Sequence, residues 1–113
     1  MTENDYAQNR EAVRSLRRDA TFGRSMMLAM VGRCSIDILW QGREEEGEAR
    51  VFFSTEQVIT FEPNDWLEGE RFHLELNPRY QLMRYDYRHR VLSVTGSSEK
   101  MGDYEYRLTA LPD

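Results

Sequence analysis

Arginine side chains clustered near the N-terminus are the residues of this chain best suited to binding a ligand. The segment from Arg10 to Arg33 holds six arginines against two acidic residues, and Lys100 is the only lysine in the chain. The planar guanidinium group makes bidentate contacts with carboxylate and phosphate. We therefore expect any anion site to lie near this segment, although a genomic preference for arginine would also produce this composition without a ligand.

The residues that follow carry the opposite charge. Between residues 43 and 70, nine acidic residues accompany only Arg43 and Arg50, and the whole chain has a net charge of -5 at pH 7. Because nucleic acid is a polyanion, an acidic stretch of this length disfavours a continuous nucleic-acid track. The charge distribution therefore indicates that nucleic acid is not the main partner.

Residue types that could form a catalytic or metal centre are present, but they are not spaced as such a centre requires. The two histidines, His73 and His89, fall within predicted strands and away from cysteine or carboxylate clusters. Ser35 and Asp37 match two residue types of a nucleophilic triad and nothing more. The run Glu44 to Glu46 could supply paired carboxylates, yet an exposed charged turn explains it without any tuned pKa. We predict no catalytic residue, no metal, no cofactor and no enzymatic activity.

A second group of arginines alternates with tyrosines late in the chain. Tyr85 and Tyr87 lie among Arg84, Arg88 and Arg90. Aromatic stacking with guanidinium contacts can bind single-stranded nucleic acid or a nucleotide. Both tyrosines also share the apolar phase of a strand, so a packed sheet face with arginines pointing into solvent is the simpler interpretation.

The alternation of apolar and polar residues predicts a mainly β fold. It is clear in Cys34 to Trp40, in Phe72 to Leu76 and in Tyr104 to Leu108, as is typical of half-buried strands. An acidic turn over Gly42 to Gly47 is expected after the first of these. A long strand over Gln81 to Thr95 changes its apolar phase, which predicts a bulge or corner near Arg90.

The N-terminal segment predicts a helix. Asn4 or Asp5 can cap a helix from about Tyr6 to Arg18, whose narrow apolar stripe should pack on the sheet or on a second copy of the chain. The fold class that follows is a small antiparallel β-barrel with one N-terminal α-helix. We divide the chain into a helical segment at residues 1–20 and a single β-barrel domain at residues 21–113.

Length and composition limit the class of protein. A chain of 113 residues can bury one core, and the single cysteine, Cys34, excludes an intramolecular disulfide and favours a buried, inert thiol. The polar, acidic start from Met1 to Asp5 lacks the features of a signal peptide, and no apolar run is long enough to span a membrane. These features predict a cytoplasmic protein without membrane insertion.

Four segments follow the order of motifs of a known family. Arg14 and Arg18 are spaced as R-x-x-x-R ahead of the strands, and Ser54 matches the serine of a D/N-x-S-x-x-G element. Two later segments, Trp66 to Phe72 and Tyr104 to Leu108, are similar to the family's strands at those places. In this order the chain resembles a divergent PilZ domain, a bacterial β-barrel family whose typical members bind cyclic di-GMP.

The resemblance implies a site and a function. In the family the two arginines engage phosphates and guanine edges while the serine element closes the pocket, which implies Arg14, Arg18 and Ser54 as the ligand-binding residues. Phe52 and Gln57 stand at the acidic or amide and the glycine positions of that element; phenylalanine accepts no hydrogen bond and glutamine lacks glycine's freedom at positive φ.

The resemblance therefore implies a non-enzymatic signalling or regulatory adaptor with weak or absent cyclic di-GMP binding and an unidentified protein partner. The apolar stripe of the helix leaves a homodimer as a further option. A nucleic-acid-binding small β-barrel and a small enzyme on an unrecognised barrel are the alternatives.

Overall fold

The computed structural model describes residues 3–24, 30–40, 42–53, 59–63, 74–99 and 102–111. One helix and seven strands lie in these ranges: α1 Glu3–Asp19, β1 Val31–Trp40, β2 Arg43–Phe52, β3 Ile59–Pro63, β4 Leu74–Leu76, β5 Leu82–Asp86, β6 Val91–Ser98 and β7 Gly102–Ala110. The predicted mainly β class with one N-terminal helix is confirmed. Across the described ranges, no helix combines the length and apolar character needed to cross a bilayer.

The strands form one antiparallel sheet built from two meanders. The order across the sheet is β4-β3-β2-β1-β7-β6-β5, and the β1–β7 pairing, from Cys34 opposite Ala110 to Trp40 opposite Tyr104, joins the meanders. Within the described residues no pairing connects the two edge strands, β4 and β5. The sheet is therefore open there, and closure into a barrel stays a prediction.

Helix α1 begins earlier than the sequence pattern indicated. It starts at Glu3, so Asn4 and Asp5 lie in its first turn and the predicted cap at either residue is wrong. Acidic residues in the first turn and Arg17 and Arg18 in the last turn both suit the helix dipole. The helix packs on β5 and β6 of its own chain, which confirms docking within the molecule.

The predicted acidic turn over Gly42 to Gly47 is wrong, because most of these residues form strand β2. Trp40 pairs with Arg43, so the chain reverses within two residues, and Gly42 adopts the positive φ of 73° that a tight turn requires. The acidic side chains of β2 instead face solvent from a regular strand, with Glu44, Glu46 and Glu48 all exposed.

The predicted long strand over Gln81 to Thr95 is also wrong, since the chain turns fully at residues 87–90. The Asp86 carboxylate accepts hydrogen bonds from the backbone N–H groups of Arg88 at 3.0 Å and His89 at 3.2 Å, and Arg90 takes a positive φ of 58°. These contacts form an Asx-type turn. The result is a β5–β6 hairpin, and His89 lies in its turn rather than in a strand.

Apolar side chains from one face of the sheet and one face of α1 form the core. Its fully buried members include Leu16, Ile36, Ile38, Val51, Leu76, Leu92, Val94, Tyr106 and Leu108. Cys34 is buried among them, and burial raises the pKa of its thiol to about 12. This agrees with the inert thiol that its sequence neighbours predict.

One buried polar side chain of the helix, Asn9, which is 2% exposed, bonds it to the chain at and before β5. Its Nδ2 donates hydrogen bonds to the backbone carbonyls of Pro78 at 2.9 Å and Gln81 at 2.7 Å, and its Oδ1 accepts one from the N–H of Met83 at 3.0 Å. The side chain thus satisfies three backbone groups in the edge strand β5 and in the residues just before it. Such edge groups are costly when buried without a partner.

Replacing Asn9 with alanine should lower the free energy of unfolding by roughly 2–4 kcal/mol, because it leaves these three backbone groups unsatisfied. Denaturant unfolding measures the loss, and amide hydrogen exchange should show faster exchange at Met83. Asn4→Ala, on an exposed position of the same helix, is the matched control and should change stability little. Equal stability of the two variants would show that Asn9 does not hold the helix to β5.

Candidate functional site

The C-terminal half of α1 and the residues after it border a groove of about 440 Å³. We call it the arginine groove, lined by Arg14, Arg17, Arg18, Phe22 and Met30. The three arginines are at positions i, i+3 and i+4 of the helix, so their side chains project from one face. The groove therefore combines cationic and apolar walls.

The apolar side of the arginine groove is anchored in the core. Phe22 packs its ring 5.8 Å from that of Phe53, and both Phe22 and Met30 lie against the buried cluster. The carbonyl of Met30 accepts a hydrogen bond from the N–H of Phe53 at 2.8 Å. A side chain at Gly32 would come within 2.9 Å of Phe53, so glycine permits this close packing. This wall is consequently formed before any ligand arrives.

The arginine side chains are exposed but not free. The side chain of Arg14 is 66% exposed and lies 3.7 Å from Glu11, and that of Arg18 is 60% exposed and lies 3.3 Å from Asp19. Arg17 Nη2 is 3.8 Å from the sulfur of Met30. Each exposed ion pair contributes little stability, but an anionic ligand must displace it to reach the guanidinium.

Arg18 belongs to a hydrogen-bonded network that links α1 to β5. Asp19 accepts a hydrogen bond from the hydroxyl of Tyr85 and pairs with Arg18, whose guanidinium also lies 5.7 Å from the ring centre of Tyr87. The hydroxyls of Tyr87 and Ser15 are 3.0 Å apart. The network therefore restrains the guanidinium of Arg18 from two sides.

The charges in this network shift the pKa values of its members. The hydrogen bond from Tyr85, followed by that from Arg18, holds the pKa of Asp19 below its ordinary value. Burial, together with Asp19, raises the pKa of Tyr85, and the hydrogen bond with Asp19 raises that of Arg18. All three groups thus keep fixed charge states at neutral pH. The network suits electrostatic recognition better than proton transfer.

The structure brings together two of the three site residues that the sequence predicted. Arg14 and Arg18 line the same groove, whereas Ser54 lies outside the described residues. Sequence reasoning missed Arg17, Phe22 and Met30 as groove residues. The spacing of Arg17 from Arg14 on one helix contained the signal, but only the path of the chain after α1 brings Phe22 and Met30 to that face.

The residues considered for catalysis do not assemble with the arginine groove. Ser35 and Asp37 lie in β1, where they face Glu48 and Glu46 across the β1–β2 pairing. His89 Nδ1 lies 2.7 Å from Asp86 in the exposed β5–β6 turn, and His73 lies outside the described residues. In the part of the chain that the structure describes, no three histidine, cysteine, aspartate or glutamate side chains come together in a metal-binding arrangement.

Replacing Tyr85 with phenylalanine should lower the free energy of unfolding by about 1–3 kcal/mol at pH 7, since it removes a hydrogen bond to a charged, partly buried carboxylate. Because folding lowers the pKa of Asp19, its ionised carboxylate stabilises the fold above pH 3.8, the ordinary pKa of the group. This contribution is lost as the pH falls through the lower pKa of the folded state. The difference between the two proteins should therefore shrink in acid. Tyr80→Phe, at a tyrosine that is 78% exposed, is the control. A pH-independent difference would contradict the role given to Asp19.

Comparisons with known proteins were made at three levels. No protein-family model, no curated protein and no solved structure matches the chain.

Proposed function

We propose that this chain is a non-enzymatic, PilZ-like regulatory adaptor whose arginine groove receives an anionic group and whose affinity for cyclic di-GMP is weak or absent. The observation that supports the proposal most directly is the placement of Arg14, Arg17 and Arg18 along one groove beside Phe22. Guanidinium groups bind phosphate in bidentate fashion, and an adjacent aromatic ring can stack on a planar base. This is the chemistry that the resemblance implies for the two arginines.

Weak affinity follows from the partners that the arginines already have. An incoming phosphate must compete with Glu11 for Arg14, and with Asp19 and Tyr87 for Arg18. The carboxylates also remain nearby and repel the ligand. Phe52 and Gln57 weaken the part of the site that the second sequence element would form. Phenylalanine accepts no hydrogen bond, and glutamine lacks glycine's freedom at positive φ.

The alternative of a nucleic-acid-binding barrel has less support. Strand β2 exposes Glu44, Glu46 and Glu48 on the solvent face of the sheet, and Asp37 lies opposite Glu46 on the neighbouring strand. A polyanion would be repelled by this face. An anionic ligand small enough to contact only the arginine groove would avoid that repulsion.

Calorimetric titration with cyclic di-GMP tests the proposal. We expect the wild type to bind with a dissociation constant above the micromolar range, or not measurably. Where heat is detected, Arg14→Ala and Arg18→Ala should each weaken binding about tenfold or more, because a charged hydrogen bond contributes roughly 1.5–3 kcal/mol. Arg84→Ala, at an exposed arginine of β5, is the matched control.

Two results would count against this function. Sub-micromolar binding by the wild type would identify a nucleotide receptor instead of a weakly binding adaptor. Binding that survives loss of both Arg14 and Arg18 would place the ligand elsewhere. A parallel titration with a single-stranded oligonucleotide separates the alternative, which requires an affinity that falls steeply with salt.

A further inference from the structure

Arg17 differs from the other two arginines of the arginine groove in what its guanidinium contacts. The other two each lie within 4 Å of a carboxylate, whereas Arg17 has no ion pair among the side chains that the structure describes. Its Nη2 instead lies 3.8 Å from the sulfur of Met30. A thioether is only a weak hydrogen-bond acceptor. Within the described residues, a ligand can therefore reach the charge of Arg17 without displacing an ion pair.

The wall beside Arg17 is apolar. Phe22 and Met30 are both half-buried and lie against the core cluster. The backbone of Met30 takes a positive φ of 54°, which is uncommon for a residue other than glycine, and the hydrogen bond from the N–H of Phe53 to its carbonyl holds it there. The backbone that carries this wall is thus ordered by the fold itself, which lowers the entropy cost of binding.

The residue types of the arginine groove are those of a protein interface. Its lining consists of three arginines, one phenylalanine and one methionine. Arginine, methionine and aromatic residues are enriched in protein–protein interfaces. The volume of about 440 Å³ lies within the range of roughly 300–1,000 Å³ that is common for sites that enclose a ligand. The groove therefore suits part of a protein partner.

Charge and apolar surface together select the chemistry of that partner. Glu11 and Asp19 offset two of the three guanidinium charges, and the remaining positive charge favours an anionic group. A free inorganic anion gains nothing from the apolar wall. A carboxylate carried on a peptide can pair with Arg17 while a neighbouring apolar side chain is buried against Phe22 and Met30. Both walls of the groove are then used.

We propose that Arg17, Phe22 and Met30 receive a carboxylate side chain and an adjacent apolar side chain from an acidic segment of a partner protein. The inference rests on the proposed function, because it identifies the anionic group as part of the adaptor's protein partner. A second copy of this chain is the poorer occupant. Its acidic strand β2 would make a head-to-tail contact, and such contacts lead to rings or open filaments instead of a closed pair.

The test is an NMR titration of the isotope-labelled full chain with a blocked pentapeptide in which two glutamates flank a phenylalanine and serines form the ends. We expect the side-chain Nε–H signal of Arg17 and the backbone N–H signal of Met30 to shift until the site is saturated. Affinity should fall as salt is raised. A peptide with glutamine in place of glutamate, and another with serine in place of phenylalanine, should each bind about tenfold less tightly or worse.

Arg17→Gln should weaken binding of the pentapeptide about tenfold or more, because it removes the charged hydrogen bonds to the carboxylate. Arg84→Gln, at an exposed arginine of β5, is the matched control and should leave binding unchanged. Met30→Gly tests the apolar wall, and glycine accepts the positive φ at this position. We expect it to weaken binding as well, with a thermal melt to confirm that each variant is folded.

Three results would overturn this inference. The first is equal binding of the pentapeptide by Arg17→Gln and Arg84→Gln. The second is inorganic phosphate that binds as tightly as the pentapeptide, since the apolar wall would then have no role. The third is self-association of the wild type that Arg17→Gln abolishes, because the occupant would then be a second copy. The cyclic di-GMP titration instead tests Arg14 and Arg18, so the inference and the proposed function can fail separately.

Discussion

The three hydrogen bonds of Asn9 are the contact on which the arrangement of this molecule depends. Strand β5 is an edge of the sheet, and a helix can cover such an edge only if the backbone groups beneath it find partners. Asn9 supplies one acceptor and two donated hydrogen bonds to Met83, Pro78 and Gln81. Together with buried Leu16 and the hydrogen bond between Asp19 and Tyr85, these contacts fix the helix in rotation as well as in position. The direction of Arg14, Arg17 and Arg18 is a consequence of that rotation.

A second constraint is the separation of charge between helix and sheet. Cationic side chains project from the end of α1, whereas the solvent face of β1, β2 and β7 carries Glu44, Glu46 and Glu105. The alternation of side chains along a strand produces the acidic face, because Glu44, Glu46 and Glu48 lie two residues apart in β2. Cationic and acidic surfaces are therefore separated on one small domain.

The pairing of Arg18 with Asp19 would limit the affinity of the arginine groove for an anionic ligand. Asp19 receives hydrogen bonds from both Tyr85 and Arg18, and these contacts join the end of α1 to β5. A ligand that recruits Arg18 must therefore loosen a contact that also supports the fold. Binding energy spent on that rearrangement does not contribute to affinity. In the proposed function, the structural role and the recognition role compete for the guanidinium of Arg18.

Local pattern determined the mainly β class, the N-terminal helix and the inert character of Cys34, because periodicity and side-chain chemistry are properties of neighbouring residues. Local pattern failed at Glu44 to Glu46, where a charged strand was interpreted as a turn. It also failed at Arg90, where a hairpin was interpreted as one long strand. Those outcomes depend on strand pairing and on hydrogen bonds from Asp86. Only the tertiary structure decided that Asn9 is buried beside β5 and that Phe22 and Met30 border the arginine groove. Contacts of this kind join residues distant in sequence, and no local pattern records them.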